Sequence, residues 1–308
     1  MSSETPSALP WCYDVLAKGV NHLVNEFRAQ LKRRVSEGST FENFNNPRNK
    51  NKIRYCDIMV NDNNIVSLST DNGENDFIHA NYITTPFSKK RFIATQGPLE
   101  ETKRDFWRMV IENQVEVIVM LCNTVEKDVN KCSLYFPCQV GYQNTFDNII
   151  VTCMEVGPIS EECIEVTRTI LEIEYDYKNL IVCHYRWTDW PDTSVPQNIE
   201  PIIKILDSIR HLKTPIVAHC SAGIGRTGCL IAVEHYIERV ILNQKLEDGV
   251  SCINNLRTMR QHSIQTEKQY VFIHYCIIKI VLGGFRDLLP TDIGDLYEAF
   301  QKDYEECL

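Results

Sequence analysis

Residues 215–237 read PIVAHCSAGIGRTGCLIAVEHYI, and no other stretch restricts the fold as strongly. A short apolar run ends at His219 and Cys220 follows. A turn carrying Gly223, Gly225 and Gly228 then leads into a periodic segment with Leu230, Ile231, Val233, Tyr236 and Ile237. That order is strand, glycine-rich turn, helix. Glycines let the backbone curl so that several amide N–H groups point at one centre. A helix starting near Arg226 adds free N-terminal donors and the positive end of its dipole. Ser221, Ala222, Gly223, Ile224, Gly225 and Arg226 are therefore a cradle for an anion. Arg226 supplies a planar, permanently charged fork suited to two phosphate oxygens. Cys220 sits at the start of the same field, which favours its thiolate and makes it a nucleophile. Thr227 can donate a hydroxyl hydrogen bond to that thiolate, and His219 can orient the loop or support the charge from behind.

The surrounding pattern is of mixed type. Apolar runs at 115–121, 148–156, 179–187 and 215–219 are short, rich in β-branched residues and bounded by polar segments, as strands are. Helical periodicity flanks them at about 101–112, 198–212, 227–243 and 266–281, and a further amphipathic helix is predicted over 14–33. The polar stretch FENFNNPRNKNK at 41–52 reads as a loop. The expectation is an α/β (or α+β) domain around a mixed sheet flanked by helices. No linker demands two domains. Residues 1–24 are expected as a partly helical segment packing on a main domain at 25–285. Residues 286–308 are expected as a helical tail carrying Ile293, Leu296, Tyr297, Phe300 and Tyr304.

A formal net charge of -9 argues against a nucleic-acid or acidic-membrane partner, which would call for a broad basic surface. The chain opens without a basic segment followed by an apolar run, and its apolar stretches are too short to span a bilayer. The 13 cysteines include no Cys-x-x-Cys pair, so reduced thiols are expected, in the cytoplasm with the nucleus as an alternative. No clustered ligand motif calls for a metal, and no cofactor is expected.

GIGRTG at 223–228 also matches the dinucleotide fingerprint G-x-G-x-x-G, with Glu247 near the expected acidic position. That motif should open a series of alternating strands and helices. The remaining residues contain no such series, and the fingerprint gives Cys220 no role.

A phosphocysteine route needs an acid for the leaving oxygen and later a base for water. HYRWTDWPDTSVP at 184–196 offers Asp192, with Trp190 and Pro191 before it, on a loop with an apolar anchor. Asp189 is the competitor, and spacing does not choose between them.

With these residues in hand, the chain resembles the cysteine-dependent, phosphotyrosine-specific protein tyrosine phosphatases over roughly residues 25–285, as a single-domain, non-receptor-like member. HCSAGIGRTG at 219–228 is similar to the family's signature loop and WPD at 190–192 to its acid loop. The resemblance thus implies Asp192 as the acid, 25–285 as the catalytic domain, and a highly twisted mixed sheet as its core. IRYCDI at 53–58 resembles the phosphotyrosine-recognition loop, in which Tyr55 would stack on the substrate ring and Asp57 would hold the peptide backbone. FIHANYI at 77–83 and FIATQGPLEETKRDFW at 92–107 resemble stretches used for pocket support and core packing. VEKDVNKCSLYFP at 125–137 implies Glu126 as a buttress for Arg226 and Lys131 near the acid loop. QTEKQY at 265–270 implies Gln265 as the water-positioning residue and Gln269 as a holder of loop or substrate.

The implied activity is hydrolysis of phosphotyrosine in proteins by a monomeric enzyme. The alternatives are a phosphotyrosine-binding module with weak or no turnover, and a phosphatase of broader specificity toward phosphoinositides or mixed sites. A deep rim at Tyr55 selects an aromatic phosphoester over the shorter phosphoserine. Three departures bear on rate and specificity. Thr193-Ser194 follows the acid where His-Gly or Phe-Gly is common, Ile53 replaces an asparagine, and His262 falls where some members have glycine.

Overall fold

The structure, a computed structural model, describes residues 7–31, 35, 37–70, 75–176, 178–284 and 291–307. The helices are α1 (Leu9–Gln30), α2 (Glu42–Asn45), α3 (Lys103–Glu112), α4 (Glu200–Ile209), α5 (Arg226–Ile241), α6 (Gly249–Met259), α7 (Glu267–Gly284) and α8 (Thr291–Cys307). The strands are β1 (Ile65–Ser67), β2 (Phe77–Thr85), β3 (Ser88–Thr95), β4 (Val117–Met120), β5 (Val125–Glu126), β6 (Val129–Asn130), β7 (Gln143–Phe146), β8 (Ile149–Ser160), β9 (Cys163–Tyr175), β10 (Lys178–Trp187) and β11 (Ile216–His219). Nine of them form one mixed sheet in the order β1-β2-β3-β11-β4-β10-β9-β8-β7, and β5 pairs with β6 alone.

β11 lies between β3 and β4 and runs parallel to both. Every residue of β4 and β11 is buried, as expected for short β-branched strands covered on both faces. The three chain segments leaving the C-terminal ends of β3, β4 and β11 therefore emerge side by side, which is where an α/β sheet builds its sites. α5 leaves this edge and is buried on all sides from Arg226 to Glu238.

Burying α5 this deeply places Glu234 and Glu238 in the interior. Arg91 compensates, with Nε 3.0 Å from Glu238 and Nη2 3.5 Å from Glu234, and it also donates to the carbonyls of Ile209, Arg210 and Leu212. Arg210 adds a second cation at 3.2 Å from Glu234.

α1 begins at Leu9, earlier than the predicted start at 14, because Pro10 suits a helix's first turn. Gly19 breaks it with φ 73° and ψ 170°, yet Val15, Leu16, Val20, Leu23 and Phe27 all remain buried. The predicted residues 32 and 33 lie outside the described residues. The tail forms α8, which buries Ile293, Phe300 and Tyr304 and stacks Tyr304 on Tyr275 at 4.2 Å; residues 286–290 and 308 are likewise outside the description. The stretch at 41–52 is not a plain loop: α2 and a six-residue 3₁₀ helix, Pro47–Lys52, occupy it, the latter capped by Asn46. β1, β2, β3, β5, β6, β7, β9 and α6 were not predicted as elements. β9 interleaves buried Val166, Leu171 and Ile173 with charged neighbours, which dilutes the apolar run, and α6 buries only Gly249, Cys252, Ile253, Leu256 and Arg257 behind its N-cap Asp248, whose side chain accepts from the Ser251 N–H. Among the described residues only helices follow α5, so the dinucleotide reading of GIGRTG has no fold to support it.

The Arg91 cluster sets a stability test. Arg91→Met leaves two buried carboxylates short of their cation and should cost about 3–5 kcal/mol in urea unfolding. The loss should be greater at pH 8 than at pH 5. Burial already raises Glu234 to about 7, so the folded state favours the protonated acid and loses stability as pH rises through that value.

Candidate active site

The turn after β11 bends because two glycines permit contacts that a side chain forbids. Gly223 has φ 70°, and a Cβ there would lie 2.0 Å from the Thr95 carbonyl oxygen. At Gly225 a Cβ would lie 2.3 Å from Gln265 Oε1. α5 starts with no side-chain cap at Gly225, so its first amides remain available to an anion. Cys220 is 4% exposed, and the Gly223 N–H donates to its sulfur at 3.3 Å.

Arg226 closes one side of the cradle. Its two terminal nitrogens donate to Glu126 at 2.7 and 3.0 Å in a bidentate pair, to the Trp190 carbonyl at 3.1 Å and to Asp192 Oδ1 at 3.2 Å. Lys131 Nζ holds the other Asp192 oxygen at 2.7 Å. The hairpin of β5 and β6, the acid segment and the start of α5 thus meet at one point. Asp189 does not join them: it is exposed and accepts from its neighbour Thr188. Trp190 anchors the acid segment, 1% exposed and packed on Trp187 and Phe272 at 5.1 and 5.2 Å.

The electrostatics follow from this layout. Burial pushes the Cys220 thiol up, but the Arg226 charge and hydrogen bonding from Thr227 and Gly223 outweigh it and hold the thiol below its ordinary range. The Thr227 hydroxyl is buried and makes no hydrogen bond of ordinary length, which leaves its proton to the nearby sulfur. Burial also pushes the Asp192 carboxyl up, and Lys131 and Arg226 more than reverse it.

Tyr55 lies against the loop rather than away from it. The Ser221 hydroxyl donates to the Lys131 carbonyl at 2.8 Å, so the Tyr55 hydroxyl, 2.8 Å from Ser221 Oγ, is the donor to Ser221. Asp57 stands exposed two residues further on. The Gln265 backbone N–H donates to Gln269 Oε1 at 2.8 Å, and the Gln265 side chain faces Gly225. Gln269 is fully buried with its Nε2 unpartnered and close to Gly225, a donor aimed at the cradle. His262 and Ile264 both adopt left-handed backbone, with φ 61° and 64°, so His262 occupies a position whose geometry suits glycine.

Four supporting residues escaped the sequence reading. Arg260, 1% exposed, donates to the Ala222 carbonyl at 3.0 Å and the Gly223 carbonyl at 3.2 Å. Pulling those carbonyls outward helps set the two peptide units of the cradle. Its other partners, Asn81 and His79 Nδ1, are uncharged; burial and Arg260 hold His79 down near about 3. Burial pulls Arg260 down to about 9, still protonated at neutral pH, and the Cys220 thiolate supports its charge. Arg54 donates to the carbonyls of Gly97, Pro98 and Asn130, fixing the Tyr55 loop. Tyr135 bridges His219 Nε2 at 2.8 Å and His184 Nε2 at 2.7 Å. His219 Nδ1 faces the Cys220 carbonyl at 3.0 Å, and a carbonyl only accepts. His219 Nδ1 therefore donates to that carbonyl, and Tyr135 stands at the other ring nitrogen. A buried arginine bonded to carbonyls, as Arg260 is, leaves no spacing signal, and neither does a tyrosine bonded to two histidine rings.

Elsewhere, His235, Glu247 and Cys252 bring three potential ligand atoms within 4.8 Å. Arg239 sits among them, 3.3 Å from Glu247 and 3.2 Å from His235 Nε2, so a cation already balances the carboxylate. A cavity of about 510 Å³ lined by Trp11, Lys18 and Glu247 holds none of the cradle residues. Among the described residues no helix is long and apolar enough to cross a membrane.

Residues 49–279 match the protein-tyrosine phosphatase family. The chain is 34% identical over 273 residues to human receptor-type tyrosine-protein phosphatase zeta, covering 84% of this chain and 12% of that protein. It is 36% identical over 251 residues to the tyrosine-protein phosphatase Lar-like of Caenorhabditis elegans, covering 80% of this chain and 11% of that one. The chain therefore spans about an eighth of the length of these relatives. The crystal structure of the catalytic domain of human protein tyrosine phosphatase non-receptor type 18 superposes with a TM-score of 0.78 at 26% identity, covering 90% of this chain and 99% of that domain. The chain belongs to the protein-tyrosine phosphatase family.

Proposed function

We propose that this chain hydrolyses phosphotyrosine in proteins, with Cys220 as nucleophile, Arg226 as phosphate clamp, Asp192 as general acid and then base, and Gln265 as the residue that places water. The observation that carries the reading is the convergence of the Cys220 sulfur, the Arg226 guanidinium and the Asp192 carboxylate at the uncapped start of α5. A relative's phosphopeptide complex, human non-receptor type 18 at 27% identity and TM-score 0.74, supports a peptide-borne substrate.

In the first step the Cys220 thiolate attacks phosphorus and the P–O bond to tyrosine breaks. The Asp192 proton goes to the departing phenolic oxygen. The three non-bridging oxygens rest on the amides of 221–226 and on Arg226, which are set before the charge develops. In the second step water held by Gln265 loses its proton to Asp192 and attacks phosphorus. The P–S bond breaks, restoring the thiolate and releasing inorganic phosphate. Tyr55 walls the pocket, with Asp57 at its rim and Gln269 behind it. A phosphoseryl group is about one ring shorter and does not bring its phosphorus to Cys220.

Arg226 cannot hold Asp192 and a phosphate equally. An arriving dianion takes the guanidinium and adds negative charge, and both changes let Asp192 keep the proton it must donate. Lys131 opposes this.

Purified protein should release phosphate from a phosphotyrosyl peptide far faster than from its phosphoseryl counterpart, whose phosphorus does not reach Cys220. Cys220→Ser should abolish release; turnover surviving in that variant would sink the assignment. Lys131→Met removes a cation that depresses the acid. It should move the alkaline limb of the kcat/KM profile up by roughly one pH unit. Arg260→Met should raise the pH midpoint of Cys220 alkylation by iodoacetamide and lower kcat/KM by about 10- to 100-fold. Arg260→Lys should restore the thiol midpoint more than the rate, since one ammonium cannot reproduce the fork on two carbonyls.

A further inference from the structure

The acid loop contains a backbone conformation that its sequence suits badly. Thr193 has φ 57°, in the left-handed region. An L-residue there brings Cβ close to carbonyl oxygen, and a second heavy atom on Cβ worsens the crowding. Residues 188–195, TDWPDTSV, contain no glycine to take this conformation. Ile264 is also β-branched and left-handed, but it is fully buried, so packing holds it in place. Thr193 is exposed and has no such packing.

What holds Thr193 is the engagement of its neighbour. Trp190 and Val195 anchor the loop at either end, both buried, while Pro191 and Thr193 between them are exposed. Across this span Asp192 pairs with Lys131 at 2.7 Å and Arg226 at 3.2 Å. The Thr193 N–H donates to Asp192 Oδ1 at 3.1 Å, its hydroxyl donates to the Asp192 carbonyl at 2.7 Å, and its carbonyl accepts a long bond from Thr266 at 3.3 Å. Apart from Thr266, these contacts depend on Asp192 or stay within the loop. The engaged position is thus a strained loop pinned by its own catalytic carboxylate. Strained residues persist only where surrounding contacts over-determine them.

We propose that Thr193 is a positioning residue whose β-branched side chain on a left-handed backbone limits the time Asp192 spends engaged, and so limits the acid-dependent step of the phosphatase reaction. This rests on the reaction proposed above. When phosphate takes Arg226, one of the two ion pairs pinning the loop is given up. The strain at Thr193 then favours withdrawal of the acid.

The test separates branching from the hydroxyl. Thr193→Asn keeps a polar side chain, removes the branch and tolerates the left-handed region; Thr193→Val keeps the branch and removes the hydroxyl. Two readouts apply. The first is kcat/KM for a phosphotyrosyl peptide against 2,4-dinitrophenyl phosphate, whose acidic leaving group needs no proton from Asp192. The second is backbone hydrogen exchange over residues 190–196, corrected for intrinsic rates, which needs no turnover. The Asn variant should raise the peptide value roughly three- to tenfold. The dinitrophenyl value should change less than about twofold, within the same free-energy scale. Exchange at the Ser194 amide, bonded to the Pro191 carbonyl at 3.3 Å, should slow. Val should give no gain in either readout. Equal gains on both substrates, a gain in Val matching that in Asn, or unchanged exchange in Asn would overturn the proposal. If the unsubstituted chain shows no Cys220-dependent turnover, the phosphatase reading falls and exchange alone decides the role of Thr193.

Discussion

The Arg226 guanidinium is the contact on which the site depends. It is 1% exposed, and a cation so deeply placed must be compensated or expelled. Glu126 compensates it through both carboxylate oxygens. Nη1 and Nη2 also reach Trp190 and Asp192, so one guanidinium ties the cradle to the segment that carries Asp192. In the proposed reaction, Cys220, Arg226 and Asp192 are therefore coupled through one charge.

The cradle around that charge is held from outside. Carbonyls that would otherwise point into it are bonded away: Ala222 and Gly223 to Arg260, Ser221 to the Gly97 amide, Cys220 to His219. With the carbonyls turned out, amides can face inward, and the uncapped start of α5 completes the set. The parallel strands β3, β11 and β4 make this possible by ending at one edge, within reach of the recognition segment and the β5–β6 hairpin. Burial raises a thiol's pKa in general, as it does for Cys12 and Cys252. At Cys220 a guanidinium and inward donors reverse that tendency, so environment separates it from buried thiols such as these.

Legibility varied with the distance over which the chemistry is encoded. Cys220 to Arg226 lie within one loop, so strand, turn and helix signals together exposed the anion site. Asp192 was left level with Asp189 by spacing, and a likeness of motif was needed to prefer it. In space the two differ plainly, since Asp192 bonds Arg226 and Lys131 while Asp189 is exposed. Tyr55, Glu126, Lys131, Gln265 and Gln269 were legible only through their company in family motifs. Arg260, Arg54 and the Tyr135–His184 pair were not legible, because side chains that serve backbone carbonyls or a neighbouring ring have no pattern of their own. β9 escaped for a related reason: a strand half exposed and rich in charge does not form an apolar run.

By itself the sequence determined that a cysteine stands at the start of a glycine-rich anion cradle, that an arginine follows within the same turn, and that a mixed sheet flanked by helices carries them. These are local properties, set by glycine's backbone freedom, by side-chain charge and by hydrophobic period. Tertiary structure alone decided which buried cation turns the cradle's carbonyls outward and that Thr193, beside Asp192, adopts a left-handed backbone, and it brought to the arginine the aspartate that the motif had favoured. Those outcomes depend on contacts between residues far apart in the chain, such as Glu126 with Arg226 and Asn81 with Arg260, and such contacts exist only once the sheet has brought its edges together.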